Sequence, residues 1–407
     1  MTATVLHGDC RVLMAAMADA SIDSIATDPP YELGFMGRSW DKSGIANDVA
    51  MWREALRVLK PGGILAAFSH ARTYHRMACA IEDAGFEIRD QIMWLYGSGF
   101  PKGGNRDGKG SCLKPAHEPI AVARKPLIGS VAANEALYGT GAINIDICRV
   151  PTDETIRAGT GVIPMRHDEA TPRALPGAKY DAAKRGTLEE FRRMPGAVPP
   201  NKLGRWPANV VHDGSDEVLA GFPNTASGTG AVKRASGGDA DGNRGAAYGS
   251  ESRPAGTVMV CHGDSGSAAR FFYCAKASKA DRDEGLDHLD PQAFVQFQTG
   301  NGESGAASSL SEGRETQYRN IHPTVKPEGL MRWLVRLYTP PGGTVLDPFT
   351  GSGSTGKAAV LEGLHFIGCE LTDDYVPIAR ARIAAAEVRA ADVPAPSPQL
   401  GLFEDAA

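Results

Sequence analysis

The fold of this chain is decided by residues 344–356, which read TVLDPFTGSGSTG. The apolar beginning of this stretch, Thr344–Phe349, predicts a short buried strand. Gly351–Gly356 matches the pattern GxGxxG, which is typical of a strand-to-helix turn because glycine permits tight turns and lets a ligand approach the backbone. The next predicted strand, His365–Glu370, ends in a carboxylate that can accept hydrogen bonds from ribose hydroxyl groups. The stretch therefore predicts an α/β sheet that binds a nucleoside-bearing ligand at one edge.

Strands and helices alternate on both sides of an irregular middle. Before the middle, strands are predicted at Thr4–His7, Ser21–Thr27, Ile64–Ser69, Glu87–Tyr96 and Glu118–Arg124, and helices at Cys10–Met17, Asn47–Leu59 and Tyr74–Ala84. After the middle, helices are predicted at Glu328–Tyr338, Ser354–Glu362 and Asp374–Glu387. Alternation at this spacing predicts parallel strands covered by helices.

The middle of the chain lacks this regularity. From about Leu127 to Asn320 only short apolar pieces occur, at Ala142–Ile147, Asn209–His212 and Arg270–Ala275. Neither flanking half is long enough for a complete doubly wound sheet, so one shared sheet with the middle inserted is the economical arrangement. We therefore expect a first half of the core at 1–126, a loop-rich insertion at 127–320, a second half at 321–388 and a flexible tail at 389–407.

The composition is that of a soluble globular protein. The 407 residues are 42% hydrophobic and 22% charged, with no apolar run of membrane-spanning length and no signal-peptide layout at the N-terminus. The expected location is the cytoplasm. The seven cysteines are scattered, and no pair has the CxxC spacing of a zinc site, so we predict no metal site. No cysteine follows a proline as the nucleophile of cytosine-C5 chemistry would, which argues against a covalent mechanism.

The charge is distributed unevenly along the chain. The formal net charge is −5, yet residues 101–210 contain 17 Lys and Arg against 11 Asp and Glu. A basic segment within an acidic chain is typical of a surface that faces nucleic-acid phosphates.

A second motif, Asp28-Pro29-Pro30-Tyr31, ends the predicted strand Ser21–Thr27. In open α/β sheets, ligands bind at this carboxyl edge. The two prolines fix the backbone and remove two N–H donors, so a carbonyl can serve as an acceptor beside the Asp28 carboxylate. Two acceptors can hold the hydrogens of an exocyclic aromatic amine and favour a pyramidal nitrogen, while Tyr31 can stack on the ring. The motif therefore indicates chemistry on such an amine.

The glycine pattern is equally compatible with a nicotinamide dinucleotide, which would make the chain an NAD-dependent oxidoreductase. Against this, Asp347 precedes the first glycine, where its carboxylate would repel a pyrophosphate but suit a ligand with a cationic amino-acid end. An oxidoreductase would also leave Asp28–Tyr31 without a role.

With both motifs present, the chain resembles the amino-group DNA methyltransferases, which are S-adenosylmethionine-dependent N6-adenine and N4-cytosine enzymes. It is similar to their permuted class, in which the catalytic motif precedes the cofactor motif. Three further stretches carry the resemblance: His7-Gly8-Asp9-Cys10, Arg57-Val58-Leu59-Lys60-Pro61-Gly62-Gly63 and His322-Pro323-Thr324-Val325-Lys326-Pro327. The middle pieces Ala142–Asp146 and Gly204–Asn209 look like those of phage and prophage members.

The resemblance implies a circularly permuted Rossmann-like methyltransferase sheet with an inserted target-recognition region. The implied catalytic residues are Asp28, Pro29, Pro30 and Tyr31. The implied cofactor-binding residues for S-adenosylmethionine are Asp9, Cys10, His322, Thr324, Lys326, Asp347, Pro348, Phe349, Thr350, Gly351, Ser352, Gly353, Ser354, Glu370 and Leu371. The implied partners are double-stranded DNA, a second copy of the chain and a cognate restriction endonuclease.

The resemblance also leaves choices open. Asp at position 28 is commoner in adenine enzymes, whereas N4-cytosine enzymes more often have Ser there, so adenine N6 is favoured as the methyl acceptor. Related Asn-Pro-Pro-Tyr enzymes modify RNA or protein, but Asp28, the permuted order and the basic insertion favour DNA. The loop Glu32–Asn47, with Arg38 and Trp40, is a candidate lid or DNA contact.

Overall fold

The computed structural model describes residues 1–34, 39–99, 105–152, 204–226, 232–233, 258–259, 265–275, 279–290, 292–293 and 317–392. Contacts between residues divide the chain into two units. Unit 1 comprises Met1–Cys148, Pro207–Gly221 and Phe272–Ala407. Unit 2 comprises Arg149–Trp206 and Phe222–Phe271. This division differs from the expected boundaries at 126 and 320, because parts of the middle belong to the same unit as the two core halves.

Within the described residues, nine strands of unit 1 form one sheet. The strands are β1 Ala3–His7, β2 Ile22–Thr27, β3 Leu59–Phe68, β4 Glu87–Leu95, β5 His117–Arg124, β6 Val210–His212, β7 Tyr273–Cys274, β8 Thr344–Asp347 and β9 His365–Glu370. Their order across the sheet is β1-β9-β8-β2-β3-β5-β4-β6-β7. All neighbours pair in parallel except β5, which is antiparallel to both β3 and β4. The predicted α/β class with a mainly parallel sheet is confirmed.

Helices cover both faces of this sheet. They are α1 Cys10–Ala15, α2 Val49–Val58, α3 Tyr74–Asp83, α4 Val131–Tyr138, α5 Asp216–Gly221, α6 Lys279–Asp283, α7 Glu328–Tyr338, α8 Ser354–Leu361 and α9 Tyr375–Asp392. Successive residues of a strand point to opposite faces. Accordingly Phe68 packs in one buried cluster with Trp333 of α7, while Ala67 packs in another with Trp52 of α2. Both tryptophans are almost completely buried, so each anchors one face of the core.

Several element boundaries differ from those expected. Helix α2 begins at Val49 rather than at the expected Asn47, and Asp48 caps it: the Asp48 carboxylate accepts a hydrogen bond from the Ala50 N–H at 2.9 Å. Strand β3 begins at Leu59 rather than at the expected Ile64, and it includes the Pro61–Gly63 stretch. The register there shifts from Ile22↔Leu59 to Ser24↔Ile64, so the extra residues form an irregularity in the strand.

The C-terminal boundary of the core also lies later than expected. Residues 389–392, assigned above to a flexible tail, continue helix α9 to Asp392. The reason is that Arg389 pairs with Glu284 at 2.9 Å and with Glu328 at 2.5 Å, which ties the last turns of the helix to the core. Residues 393–407 lie outside the described part of the chain.

The middle region supplies two of the nine strands. β6 pairs in parallel with β4, and β7 pairs in parallel with β6. Unit 2, by itself, contains a ladder between Asn224–Ala226 and Ser265–Ser267. It also contains two hydrogen bonds between Val150 and Arg205, at 2.9 and 2.8 Å. Shorter two-residue ladders pair 105–106 with 109–110, 232–233 with 258–259, and 292–293 with 317–318.

None of the described helices has the length and apolar character needed to cross a membrane.

Candidate active site

The two sequence motifs meet at one cavity of unit 1. Asp28 follows strand β2, and Asp347 ends strand β8. These strands pair in parallel, so their carboxyl ends are neighbours. The Thr27 hydroxyl donates to the Asp347 carboxylate at 2.6 Å, which joins the two ends directly. The cavity between them has a volume of about 800 Å³, enough for a drug-sized or nucleoside-sized ligand.

The cavity is lined by nearly all of the predicted site residues. The four residues of the first motif, Asp28, Pro29, Pro30 and Tyr31, all line it. So do Asp9, Cys10, His322, Thr324, Lys326, Asp347, Pro348, Phe349, Thr350, Gly351, Ser352, Ser354, Glu370 and Leu371. Gly353 does not line the cavity. It is the cap residue of α8 with φ +80°, and a Cβ there would lie 2.9 Å from the Ala379 backbone.

The turn after β8 is held by the end of β9. The Glu370 carboxylate accepts hydrogen bonds from the backbone N–H groups of Gly351 and Thr372, both at 2.7 Å. The Thr350 N–H donates to the Cys369 carbonyl at 2.9 Å. Burial raises the pKa of Glu370, against the lowering effect of these hydrogen bonds. A carboxylate oxygen can accept more than one hydrogen bond, so Glu370 can bind a ribose hydroxyl while it holds the turn.

Asp347 is buried behind the same turn. Its carboxylate accepts from Thr27 and from the Phe349 N–H, the latter at 3.0 Å. Burial nevertheless raises the pKa of Asp347 to about 6, so the group is mainly ionised at neutral pH. A buried carboxylate at this position favours a cationic ligand group over a phosphate.

The segment before α7 closes the cavity from another side. Burial lowers the pKa of His322 to about 4, so its imidazole is neutral at physiological pH. The ring contacts Tyr375 edge-on, with 4.6 Å between centroids. Gly351 approaches the same ring closely, since a Cβ at Gly351 would lie 2.8 Å from His322 Nε2.

Asp28 is held by a lysine from that segment. The Lys326 ammonium donates to Asp28 Oδ2 at 2.6 Å. Asp28 Oδ1 is buried and has no hydrogen-bond partner among the described residues. Buried acceptors are rarely left without a donor, so this oxygen is suited to accept a hydrogen bond from a ligand.

Tyr31 belongs to the same group of contacts. Its hydroxyl donates to Glu118 Oε2 at 3.2 Å and accepts from Lys326 Nζ at 3.1 Å. Burial, followed by the nearby carboxylates, raises the pKa of Tyr31 well above its usual value, so the hydroxyl stays protonated. The His70 ring lies 6.4 Å from the Tyr31 ring, centroid to centroid.

Glu118, His70 and Tyr96 line the cavity but were not predicted from the sequence. Glu118 was missed because the strand that it opens was expected to be parallel. Since β5 is antiparallel, its beginning lies at the edge where β2 and β3 end. A signal was present: Glu118 is an acidic residue directly before the apolar run Pro119–Ala123. For His70 and Tyr96 the sequence contains no comparable signal.

The predicted contact residues near the N-terminus have local partners. The Asp9 carboxylate caps α1 by accepting from the Arg11 N–H at 2.9 Å and pairs with the Arg11 guanidinium at 2.6 Å. The Arg11 hydrogen bond holds the pKa of Asp9 below its usual value. Burial raises the pKa of Cys10 to about 12, so it is a neutral thiol.

The candidate lid loop is described only in part. Arg38 and the side chain of Trp40 lie outside the described residues. Among the described ones, the Glu32 N–H donates to the Asp41 carboxylate at 3.0 Å, and Asp41 lines the cavity.

Comparison with known proteins identifies the family. The model of the DNA methylase family that covers N6 and N4 enzymes matches residues 22–381, most of the chain. This protein therefore belongs to the N6/N4 DNA methylase family.

Individual relatives match over shorter lengths. The DNA adenine methyltransferase YhdJ of Escherichia coli is 41% identical over 70 residues, 17% of this chain. The type II methyltransferase M2.DpnII of Streptococcus pneumoniae is 45% identical over 64 residues, 16% of this chain. Either match spans 24% of the relative, about a quarter of its length.

Two solved structures are similar over almost the full chain. The M1.HpyAVI–SAM complex has 15% sequence identity and a TM-score of 0.38, with 94% of this chain and 99% of that chain covered. The cytosine-N4-specific PvuII DNA methyltransferase has 14% identity and a TM-score of 0.45, with 96% and 93% covered.

Proposed function

We propose that this protein transfers a methyl group from S-adenosylmethionine to the N6 amine of adenine in double-stranded DNA. One observation carries the proposal: the acceptor motif Asp28–Tyr31 and the glycine turn after β8 line the same cavity. A transfer reaction requires its two reactants to lie side by side in a fixed orientation, and such positioning supplies much of the rate enhancement.

The residues of the turn fit S-adenosylmethionine. Glu370 suits the ribose hydroxyls, and Asp347 suits the cationic end of the cofactor. Gly351 lets the ligand approach the backbone, while the neutral His322 adds no positive charge that would repel a sulfonium. When bound, the cofactor supplies an electrophilic methyl group on its sulfonium sulfur. The proposed cofactor contacts are the predicted residues of the N-terminal turn, His322 and Thr324, the predicted residues of the turn after β8 except Gly353, and the end of β9.

Asp28–Tyr31 prepare the amine. We assign the Asp28 carboxylate and the Pro29 carbonyl as acceptors for its two hydrogens, because Asp28 Oδ1 lacks a donor. These acceptors favour a pyramidal nitrogen whose lone pair can attack the methyl group. With the cofactor bound, the amine would exchange one of its two hydrogens for the methyl group, and the Asp28 carboxylate that holds this hydrogen would take up the proton. Cys10 and Cys369, the cysteines that line the cavity, have pKa values of about 12, so neither is a ready covalent nucleophile.

The target adenine must leave the duplex to reach this cavity, since its amine is inaccessible within the base stack. Tyr31 is the proposed stacking surface, and the basic residues of the middle region are the proposed phosphate contacts. A permuted motif order, a recognition role for the middle region, a homodimer, a cognate restriction endonuclease and a cytoplasmic location remain predictions.

The main alternative is methylation of cytosine N4. Asp28 favours adenine, and the similar E. coli protein is named an adenine methyltransferase. RNA or protein methylation and NAD-dependent oxidation are less well supported, because the chain belongs to a DNA methylase family.

The test is expression in a host without DNA methylation, followed by nucleoside digestion and mass spectrometry of the DNA. N6-methyladenine is expected, and it should be absent when Asp28→Ala is expressed. Calorimetric titration with S-adenosylmethionine should show that the variant still binds the cofactor. N4-methylcytosine alone would contradict the assigned base, and full activity of Asp28→Ala would contradict the assigned site.

A further inference from the structure

We propose that Lys326 and Glu118 form a positioning pair that holds Asp28 and Tyr31 in place for the target amine. This proposal rests on the proposed function. It also reassigns Lys326, which the sequence had placed among the cofactor contacts, to the target side of the cavity.

The Lys326 ammonium uses all of its donors within or beside the acceptor motif. An ammonium group has three N–H donors. Lys326 Nζ donates to Asp28 Oδ2 at 2.6 Å and to the Tyr31 hydroxyl at 3.1 Å, and it lies 3.4 Å from Glu118 Oε2. Three donors therefore have three partners, all in the acceptor motif or beside it. A cofactor carboxylate would have to displace one of them.

The walls around the ammonium are aromatic. Lys326 Nζ lies 4.9 Å from the Phe68 ring centroid and 5.4 Å from that of Tyr31. Lys326 is only 6% exposed, so water does not replace its partners easily. Burial lowers the pKa of Lys326, but Asp28 and Glu118 raise it by more, and the net pKa is above the usual value. The group therefore stays charged.

Glu118 completes the arrangement from β5. Its Oε2 accepts from the Tyr31 hydroxyl at 3.2 Å, which fixes the ring at its far end. It also balances Lys326, so that the lysine pairs with both carboxylates. With Oδ2 of Asp28 occupied by Lys326, Oδ1 is the oxygen that remains for the amine. Lys326 and Glu118 act through Asp28 and Tyr31, which makes them positioning residues.

The chain offers a matched control at the other end of strand β2. Lys60 pairs with the buried Asp23 at 2.6 Å, the same length as the Lys326–Asp28 pair. Neither Lys60 nor Asp23 lines the cavity. Loss of this pair should reduce stability and leave the chemical step unchanged.

The experiment compares Lys326→Met, Lys326→Arg, Glu118→Gln and Lys60→Met in the full chain. The cofactor Kd is measured by calorimetry, and the rate of tritiated methyl transfer is measured in a single turnover on unmethylated DNA at saturating cofactor. Removing one partner of a buried hydrogen-bonded charge pair is costly, so Lys326→Met should transfer methyl at least about thirtyfold more slowly. Its cofactor Kd should stay within about threefold of the wild-type value, because the loss of a charged hydrogen bond to the cofactor would raise the Kd by more than this.

The other variants separate positioning from stability. Lys326→Arg keeps the charge and should recover part of the rate. Glu118→Gln keeps an acceptor for Tyr31 but loses the charge, so its rate should fall by about fivefold to tenfold, the usual difference between charged and neutral hydrogen bonds. Lys60→Met should melt at a lower temperature but keep the wild-type rate.

Two results would overturn the proposal. One is a weakened cofactor Kd in Lys326→Met with an unchanged rate at saturation, which would return Lys326 to the cofactor contacts. The other is a wild-type rate of methyl transfer in both Glu118→Gln and Lys326→Arg. This second result can be obtained even if Lys326→Met does not fold. A wild-type protein that methylates no DNA would instead contradict the proposed function, so the two failures are distinguishable.

Discussion

Gly351 packs directly against the imidazole of His322: a Cβ on Gly351 would lie 2.8 Å from His322 Nε2. The two residues belong to motifs separated in the sequence, the glycine turn after β8 and the segment before α7. Their contact shows that no side chain fits between the turn and the imidazole.

Replacement of this glycine should therefore weaken cofactor binding. Gly351 has φ +52°, so Gly351→Ala adds backbone strain as well as the clash with His322. Overpacking of this kind is worth up to a few kcal/mol, so the cofactor Kd should rise about tenfold or more in calorimetric titration. The control is Gly342→Ala, since Gly342 has φ +70° but open space around its Cβ position. Gly342→Ala should have the backbone strain without the clash, so its melting temperature should be lower while its cofactor Kd is unchanged.

Asp347 should make the stability of the cofactor-free protein depend on pH. Burial raises the pKa of Asp347 from 3.8 to about 6 in the folded state. A group with a raised folded-state pKa stabilises the fold below its unfolded pKa, and that contribution is lost as the pH rises through the folded pKa. Asp347→Asn cannot ionise. Relative to wild type, its free energy of unfolding should therefore improve as the pH rises from about 4 to 7.

Cofactor binding should respond in the opposite direction. The ionised Asp347 favours a cationic ligand, so the wild-type affinity should fall as the pH falls below about 6. Asp347→Asn should bind more weakly at pH 8 and show a flatter pH dependence. Urea unfolding and calorimetry across the pH range measure both effects, and parallel curves for the two proteins would contradict the role given to Asp347.

Arg382 should support both the fold and the cofactor turn. It is fully buried, and its Nη1 donates to the Ser352 carbonyl at 2.7 Å. Its Nη2 donates to the Asp281 carbonyl at 3.0 Å. Arg382→Met removes one partner of the buried Arg382–Asp281 charge pair, which is 3.3 Å long, and takes a donor from two backbone carbonyls, so the free energy of unfolding should drop by about 3–5 kcal/mol.

The matched control lies two residues earlier on the same helix. Arg380 donates to the Val5 carbonyl at 2.9 Å and is exposed. Arg380→Met should cost only about 1 kcal/mol, the usual worth of one such hydrogen bond. Cofactor affinity should fall in Arg382→Met alone, because only Arg382 contacts Ser352 and Ser354. If both variants lost the same free energy of unfolding and the same cofactor affinity, Arg382 would have no special role in supporting the turn.

Chelators should leave the activity unchanged. Asp281, Glu284 and Glu328 bring carboxylates close enough to hold a metal ion. Lys357, however, is bonded to all three of them, so an ammonium group occupies the position that a cation would take. Methyl transfer should proceed equally with EDTA and with added magnesium. A loss of activity in EDTA that magnesium restores would disprove this assignment.

The cofactor half of the core was predictable because its signals are local. The helix Glu328–Tyr338 and the strand His365–Glu370 have the expected bounds. The preceding Pro327, the apolar periodicity of the helix and the terminal Glu370 all mark these boundaries in the sequence itself. The convergence of both motifs on one cavity was likewise predictable, since parallel strands place their carboxyl ends at one edge.

The remaining features depend on contacts between distant segments. Nothing in His117–Arg124 indicates that β5 runs antiparallel, so the position of Glu118 could not be inferred. The three residues of β6 and the two of β7 are too short to show any periodicity. β6 takes its place in the sheet by pairing with β4, which lies more than a hundred residues away in the chain, and β7 takes its place by pairing with β6.

These two short strands determine how the proposed recognition region could be exchanged between relatives. A chimera joined at residues 127 and 320 would remove β6, β7 and α6, and with α6 the Asp281 that bonds Lys357 and Arg382. Such a transplant would have an open sheet edge, a buried Arg382 without its carboxylate partner, and a buried Lys357 left with Glu328 alone of its three carboxylates. Junctions at 149 and 206, and at 222 and 271, would leave the catalytic core complete. The exchangeable part of the chain therefore consists of two separate segments, 149–206 and 222–271.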